Sequence, residues 1–389
     1  MKSKTGKIYF VGAGPGDPEL ITLKGLKALQ QAEVVVYDRL VHPSLLLEVK
    51  ADTKLIYCGK QPCKHTLRQS DIQKELIIQA KKGKTVVRLK GGDPAVFGRV
   101  GEEAEAAAKQ RIAYEIVPGI TAGSAAAIYS GVPLTHRDHS RSFAIVTGHS
   151  RNKDGKPNIA WGDLARSVDT IVFYMGVKNL SYIAQQLIKE GKDPYTSTLV
   201  TEWGTYGRQR SMTGSLAEIP HMAEKYNMSN PAVIVVGDVT KLHDSLQWIT
   251  EKPLSGQGII TIPSDTTDKH FAQGLEEEGA GVYLLNKTTE ESDLSKNSKE
   301  IMARLIMDGH ANYVLVQDVP SAKALLNDTK GISFESEDIF SHVSFICMGK
   351  ETEQVVRERG YKPAVVLPVL SSTDTLVDAL SEKQNQDIV

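Results

Sequence analysis

Three glycine-rich turns carry the residues best suited to chemistry. They are Gly12-Ala13-Gly14-Pro15-Gly16-Asp17, Gly91-Gly92-Asp93-Pro94 and Pro118-Gly119-Ile120-Thr121-Ala122, and each follows a short apolar run. A dinucleotide-binding fingerprint would need G-x-G-x-x-G, with backbone N–H groups and a helix N-terminus facing a pyrophosphate. The first turn departs from it three times. Its third glycine is missing, Pro15 has no N–H, and Asp17 puts a negative charge where phosphate would sit. Such a turn suits close backbone contact with an uncharged or cationic group. In the second turn, Gly91 and Gly92 allow close backbone approach and Asp93 offers a carboxylate to hydroxyls or an amine. Arg88, Lys90 and Arg99 add positive charge around it. In the third, Thr121 is an expected helix cap. The small residues Ala122–Ala127 allow either tight helix packing or a ligand lying against backbone.

The titratable candidates are Asp38, Lys60, His65, His136 and His149. Asp38 closes an apolar run. It would bind ribose in a dinucleotide domain and could act as a base in another enzyme. No His, Cys or Glu spacing suggests a metal site. Neither a G-x-S-x-G elbow nor a G-x-x-x-x-G-K-[ST] phosphate loop is present.

The elements that position these residues alternate. Apolar runs at 8–11, 34–37, 85–89 and 114–117 read as strands. Asp17 and Pro18 predict a helix start there, and Ser70 with Gln73 reads as a capping box for another helix. Further strands are expected at 143–147, 170–175, 198–201 and 232–236, and a third set at 259–262, 313–316, 343–347 and 364–367. The first set predicts α/β architecture with a largely parallel sheet, and the second a further α/β domain. Ligands in such sheets bind at the carboxyl ends of the strands, so the three turns should meet in one crevice.

The 389 residues imply two to three domains, and the net charge of −1 conceals an asymmetry. Residues 257–389 hold 12 Lys and Arg against 22 Asp and Glu, and the remainder holds 34 against 25. The basic first region suits an anionic ligand. Its arginines are scattered rather than striped with aromatics, which argues against nucleic acid. No apolar run approaches a membrane span, and Ile8–Val11 leads straight into the first turn, with no room for a secretory leader. Cys58, Cys63 and Cys347 form no disulfide framework, so a cytoplasmic setting is expected.

The segments "VGAGPGDPELITLKGLKALQQAEVVVYDRLV", "RLKGGDPAVFGR", "VPGITAGSAAAIYSGVPLTHRD", "FYMG" and "NPAVIVVGDV" together resemble the tetrapyrrole methylase family. The resemblance implies a two-domain fold (1–138 and 139–250) with a cleft between the domains and a homodimer. It implies S-adenosylmethionine as methyl donor and S-adenosylhomocysteine as product. Pro15, Gly91, Gly92, Asp93, Val96, Thr121, Ala122, Met175, Gly204 and Ala232 match the family's cofactor positions. Asp38 and Lys60 match its proton acceptor and donor, although "QPCKHT" after Lys60 departs from the usual sequence. The implied reaction is methylation of uroporphyrinogen III at C2 and C7 to give precorrin-2, for sirohaem or cobalamin. Another precorrin methylation, or a non-catalytic nucleotide-binding regulatory module, are the alternatives. Arg39, Arg137, Arg141 and Arg208 are candidate forks for substrate carboxylates. Asn312–Leu326 and Phe345–Leu380 resemble parts of the uroporphyrinogen-III synthase family. Only about half of such a domain is present, so residues 257–385 are expected to be a truncated α/β domain without synthase activity.

Overall fold

The structure is a computed structural model describing residues 5–59, 68–150, 152, 154–249, 252–263, 269–285, 294–326, 338–369 and 371–387. The first sheet contains β1 (Lys7–Gly12), β2 (Val34–Tyr37), β3 (Lys54–Tyr57), β4 (Thr85–Lys90) and β5 (Ala113–Val117), with α1 (Leu23–Gln30), α2 (Gln69–Lys81), α3 (Val100–Lys109) and α4 (Ala122–Tyr129) in the connections. Its order is β3-β2-β4-β1-β5 and every pairing is parallel. One face buries Ile8, Phe10, Val34, Val36 and Val86 against Ile72 and Leu76 of α2 and Ala104 and Ala107 of α3. Alternate side chains of a strand share a face, so Arg88 and Lys90 continue the row that Val86 begins.

Two helix starts differ from expectation. Asp17 does cap, but only the single 3-10 turn Pro18–Leu20, and α1 begins at Leu23 under Thr22, whose Oγ1 accepts from Gly25 N at 3.1 Å. Extended backbone at Ile21 and Thr22 separates the two. The capping box at Ser70 does not form. α2 starts at Gln69, so Ser70 lies inside it, and Gln73 Nε2 instead donates to the Glu102 carbonyl at 3.3 Å.

The second sheet contains β6 (Phe143–Thr147), β7 (Thr170–Tyr174), β8 (Ser197–Glu202), β9 (Arg210–Ser215) and β10 (Ala232–Val236), with α5 (Trp161–Ser167), α6 (Leu180–Lys189), α7 (Ile219–Lys225) and the one-turn α8 (His243–Leu246). Its order is β6-β7-β10-β8-β9. It is mixed rather than parallel. β6 and β7 run together, while β10 opposes both β7 and β8, and β8 and β9 form a hairpin. A third sheet of β11 (Gly258–Thr261), β12 (Gly281–Leu284), β13 (Tyr313–Val316), β14 (Ser344–Met348) and β15 (Pro363–Leu367), ordered β12-β11-β13-β14-β15, is parallel throughout. Its helices are α9 (Lys269–Glu277), α10 (Lys296–Met307), α11 (Val319–Leu326), α12 (Lys350–Glu358) and α13 (Thr373–Asp387).

The chain divides into two compact units: Met1–His42 with Thr53–Thr250, and Pro43–Asp52 with Glu251–Val389. The second unit thus takes a short piece from the β2–β3 connection. Within it, the helical turns Pro43–Glu48 pack on α10, and Asn297 Nδ2 donates to the Ala51 carbonyl at 3.3 Å. No helix among the described residues is long and apolar enough to cross a membrane.

Candidate active site

Because all strands of the first sheet are parallel, Gly12, Asp38, Lys90 and Val117 lie at one sheet edge. The three glycine turns meet there. Ala13 N donates to the Lys90 carbonyl at 2.7 Å, and Gly14 and Gly92 exchange backbone bonds of 3.3 and 2.6 Å. A Cβ on Gly12 would come within 2.6 Å of Gly119 N, and one on Gly119 within 2.4 Å of the Gly92 carbonyl oxygen. Only glycine permits this junction. Gly14 and Gly92 also have φ of +82° and +69°, the left-handed region that side chains disfavour. Asp93 ties the turns together, since Oδ2 accepts from Gly119 N at 3.0 Å and Oδ1 from Ala95 N at 2.7 Å. Pro15, Gly91 and Val96 lie half-buried beside this junction.

The second sheet closes the other side of the cleft. Register places Tyr174, Glu202 and Ala232 at the same end of that sheet, since Ala232 pairs with Glu202 and Val233 with Tyr174. Tyr174 reaches the third turn. Its hydroxyl accepts from Gly123 N and shares a hydrogen bond with Thr121 Oγ1. Thr121 does hold the N-cap position of α4, but its side chain makes no cap bond; the Tyr174 hydroxyl caps in its place. Burial raises the Tyr174 pKa, so the phenol keeps its proton. Met175, next along, is 46 % exposed with φ +56°. Gly204 packs on α4, where a Cβ would meet Ala126 Cβ at 2.3 Å.

The loop Trp203–Gln209 also crosses the cleft. Thr205 Oγ1 accepts from Asp17 N at 3.0 Å, and the Tyr206 hydroxyl donates to the Leu40 carbonyl at 3.2 Å. Gly16 leaves room for Tyr206, whose ring atom would lie 2.3 Å from an added Cβ. Tyr206 stacks on buried His42 with ring centroids 5.6 Å apart, and Arg208 lies 3.6 Å over the Trp203 ring. Burial, aided by the Arg208 charge, lowers the His42 pKa to about 4.

Asp38 is brought to this edge, its side chain 29 % exposed. Its Oδ2 accepts from Arg88 NH2 at 3.2 Å and its Oδ1 from Leu40 N at 3.2 Å. Arg39 is exposed on the same turn. Arg88 and Lys90, expected from sequence to add positive charge around the second turn, do not open into the crevice. Both are buried beneath it against Glu103, an acid of α3 whose side chain is fully enclosed. Glu103 escaped the sequence reading. Its signal was two basic residues at alternate positions of a strand face that is otherwise apolar. They require an acid on the helix above.

Arg137 is exposed on the turn that His136 and Ser140 close. Arg141 is not brought to the site. It precedes β6, its backbone N bonded to Asp169 Oδ2 at 2.8 Å, and Phe143 pairs with Thr170. That is the end of β7 opposite Tyr174, about 13 Å away along the strand. His136 pairs with His139 on the surface, and His149 lies in an exposed turn. Lys60, His65 and Cys63 fall outside the described residues. No group of three His, Cys, Asp or Glu among the described residues could hold a metal.

Comparison with known proteins matches residues 7–220 to the tetrapyrrole (corrin/porphyrin) methylases. The chain is 57 % identical over 235 residues to a uroporphyrinogen-III C-methyltransferase of Priestia megaterium, covering 60 % of this chain and 98 % of that one. It is 50 % identical over 280 residues to one from Bacillus subtilis (strain 168), covering 72 % of this chain but only 58 % of the relative. Uroporphyrin-III C-methyl transferase from Thermus thermophilus, whose structure is also known in complex with S-adenyl homocysteine, aligns over 61 % of this chain and all of that one. The identity there is 38 % and the TM-score 0.52. The turns that meet at Gly12, Gly92 and Gly119, and the second sheet that closes over them, belong to a member of the tetrapyrrole methylases.

Proposed function

We propose that this protein transfers methyl groups from S-adenosylmethionine to C2 and C7 of uroporphyrinogen III, giving precorrin-2. The observation that carries the reading is the junction of three glycine turns beside Asp38, faced by Tyr174 and Met175 across the cleft. A donor without phosphates fits it. Pro15 withholds an N–H, and Asp17 and Asp93 are acceptable near a sulfonium but not near a pyrophosphate. Around the junction Leu40, Phe97, Ile120 and Met175 are each more than a third exposed. Three come from connections of the first sheet and Met175 from the second, a surface suited to a flat apolar macrocycle.

S-adenosylmethionine supplies an activated methyl group on a sulfonium sulfur. Pro15, Gly91, Gly92, Asp93, Val96, Thr121, Ala122, Met175, Gly204 and Ala232 hold the donor. The nucleophile is an electron-rich pyrrole carbon of the substrate. The main work of the protein is to align that carbon with methyl and sulfur, and proximity of this kind contributes roughly 7–11 kcal/mol. Asp38 takes up the proton that the substrate must lose, a contribution of about 10²–10⁴-fold. Lys60 is the proton donor of the reading. Arg208, presented on Trp203, and exposed Arg39 and Arg137 are the candidate carboxylate forks, and Arg141 is withdrawn from that set. Domains at 1–138, 139–250 and 257–385, a homodimer and a cytoplasmic setting complete the reading.

Anaerobic incubation with S-adenosylmethionine and uroporphyrinogen III, followed by mass and absorbance, tests it. A gain of two methyl groups with the spectrum of precorrin-2 or its oxidised form is expected. Retained binding of S-adenosylhomocysteine with no methyl gained would overturn the substrate and point to another precorrin.

A further inference from the structure

Beneath the crevice lies a closed set of four charges. Arg88 and Lys90 stand at alternate positions of β4 and point to the face covered by α2 and α3. Arg88 NH1 donates to the carbonyls of Leu89 at 2.9 Å and Val36 at 3.3 Å, and NH2 to Asp38 Oδ2 at 3.2 Å. Arg88 Nε lies 3.5 Å and Lys90 Nζ 3.2 Å from the same oxygen, Oε1 of Glu103. Gln69 Nε2 of α2 donates to that oxygen at 2.8 Å, while Glu103 Oε2 and Arg88 Nε have no hydrogen-bond partner among the described residues, so the Arg88–Glu103 contact is an ion pair only. Cys58, at the end of β3, is the other titratable group of the set. Burial pushes its thiol up to about 11, so it stays neutral. The set sums to zero: two cations, Glu103 and Asp38.

The balance has a consequence for Asp38. A buried guanidinium or ammonium without a counter-charge is costly, so a cluster one charge out of balance rearranges. Asp38 is the one member with a side chain partly open to the crevice, held there by Arg88 and Leu40 N, and it is therefore the member with room to shift. Without Glu103, both cations would draw on Asp38 alone and pull its carboxylate inward, off the crevice. We infer that Glu103 is a positioning residue for methyl transfer: by balancing the charges of Arg88 and Lys90 from α3 it leaves Arg88 a single fixed donor to Asp38 and keeps that carboxylate facing the substrate. This rests on the reading that Asp38 handles the substrate's proton.

The test uses the full-length protein with S-adenosylmethionine and uroporphyrinogen III. Glu103→Gln keeps shape and the Gln69 contact but leaves one excess positive charge. It should lower kcat roughly ten- to a hundredfold, a large part of what a general base supplies, with KM for S-adenosylmethionine unchanged. The pair Lys90→Met with Glu103→Gln restores neutrality and should recover kcat to within a few-fold of the parent. A role in packing alone predicts the opposite, since the pair removes more native contacts than the single change. Wild-type kcat in Glu103→Gln, or a pair no better than the single variant, would overturn the inference. If Glu103→Gln does not fold, the pair carries the test by itself, and its failure to turn over would be fatal. Failure of the functional reading is separate, because the unmodified protein would then not methylate this substrate at all.

Discussion

Gly119→Ala tests whether the meeting of the three turns makes the donor site. The added Cβ would stand 2.4 Å from the Gly92 carbonyl oxygen and 2.9 Å from Gly12 Cα, both backbone. Ordinary contact begins near 3.4 Å, so the third turn must retreat by about 1 Å, and no side chain can rotate to absorb it. That retreat strains the 3.0 Å bond from Gly119 N to Asp93 and the paired bonds of Gly14 and Gly92. Overpacking costs about 1–3 kcal/mol and each lost bond about 0.5–1.5 kcal/mol. If the loss falls on the bound state, affinity for S-adenosylhomocysteine drops by roughly 10²-fold, the scale expected of a 1 Å misplacement. Gly101→Ala is the control. Gly101 lies in α3 with nothing within 4 Å of its Cβ, and alanine there should stabilise by roughly 0.5–1 kcal/mol. Calorimetric titration of S-adenosylhomocysteine into the three proteins decides. Equal affinities for Gly119→Ala and the parent would refute the claim that this junction forms the site.

Tyr174→Phe leaves the Gly123 N–H and the Thr121 hydroxyl without their shared partner, at roughly 1–3 kcal/mol. S-adenosylhomocysteine should bind about tenfold more weakly, and an unchanged Kd would show that the cap does not serve the donor. Asp38→Ala should cut turnover at least a hundredfold while leaving S-adenosylhomocysteine affinity within a few-fold, and Asp93→Ala should do the reverse. Equal loss of both properties in either variant would undo the division of roles. His42 gives a pH signature. The unfolded chain protonates it below its ordinary value of 6.5, and the folded protein only below about 4. Protons therefore favour the unfolded state between these values. The contribution is intact above pH 6.5 and lost as pH falls toward 4, a difference of about 2–3 kcal/mol. Urea unfolding at pH 7 and pH 4.5 should show a smaller fall for His42→Phe than for the parent, and equal falls would contradict the assignment.

The parts of the site legible in the sequence are those set by backbone. A glycine that must approach another backbone leaves the same mark wherever it occurs, and parallel strands bring successive strand ends to one edge. Gly12, Gly91, Gly92 and Gly119 were readable for that reason, as was Asp38 at the end of β2. What stayed hidden depends on partners distant in sequence. Thr121 is an ordinary cap by composition, and only the register of β7 puts the Tyr174 hydroxyl in its place. β9, with the sequence RSMTGS, lacks a strand's apolar alternation and forms through its pairing with β8. The antiparallel β10 is not legible in the alternation of the chain, which constrains crossovers and not the direction of a strand inserted between two others.

The division of labour along the chain is also less simple than its charge asymmetry suggests. The acidic region follows Gln257, yet its compact unit contains Pro43–Asp52, which starts five residues after Asp38. Leu45 and Leu46 of that segment are buried, and the turn they form packs on α10. The connection leaving the proposed base therefore returns to β3 only by way of the second unit. An end to the chain at Thr250 would remove α10 and expose those leucines, at about 1.5–3 kcal/mol each. The Priestia relative aligns over 98 % of its own length with only 60 % of this chain, so in this family the methylase fold can be much shorter than the chain described here. What the acidic region adds is thus tied by the covalent chain to the one turn of the first sheet that carries Asp38. A change in how Pro43–Asp52 packs on α10 should be felt at the proposed proton acceptor before it reaches the glycine turns, and so in kcat before donor affinity.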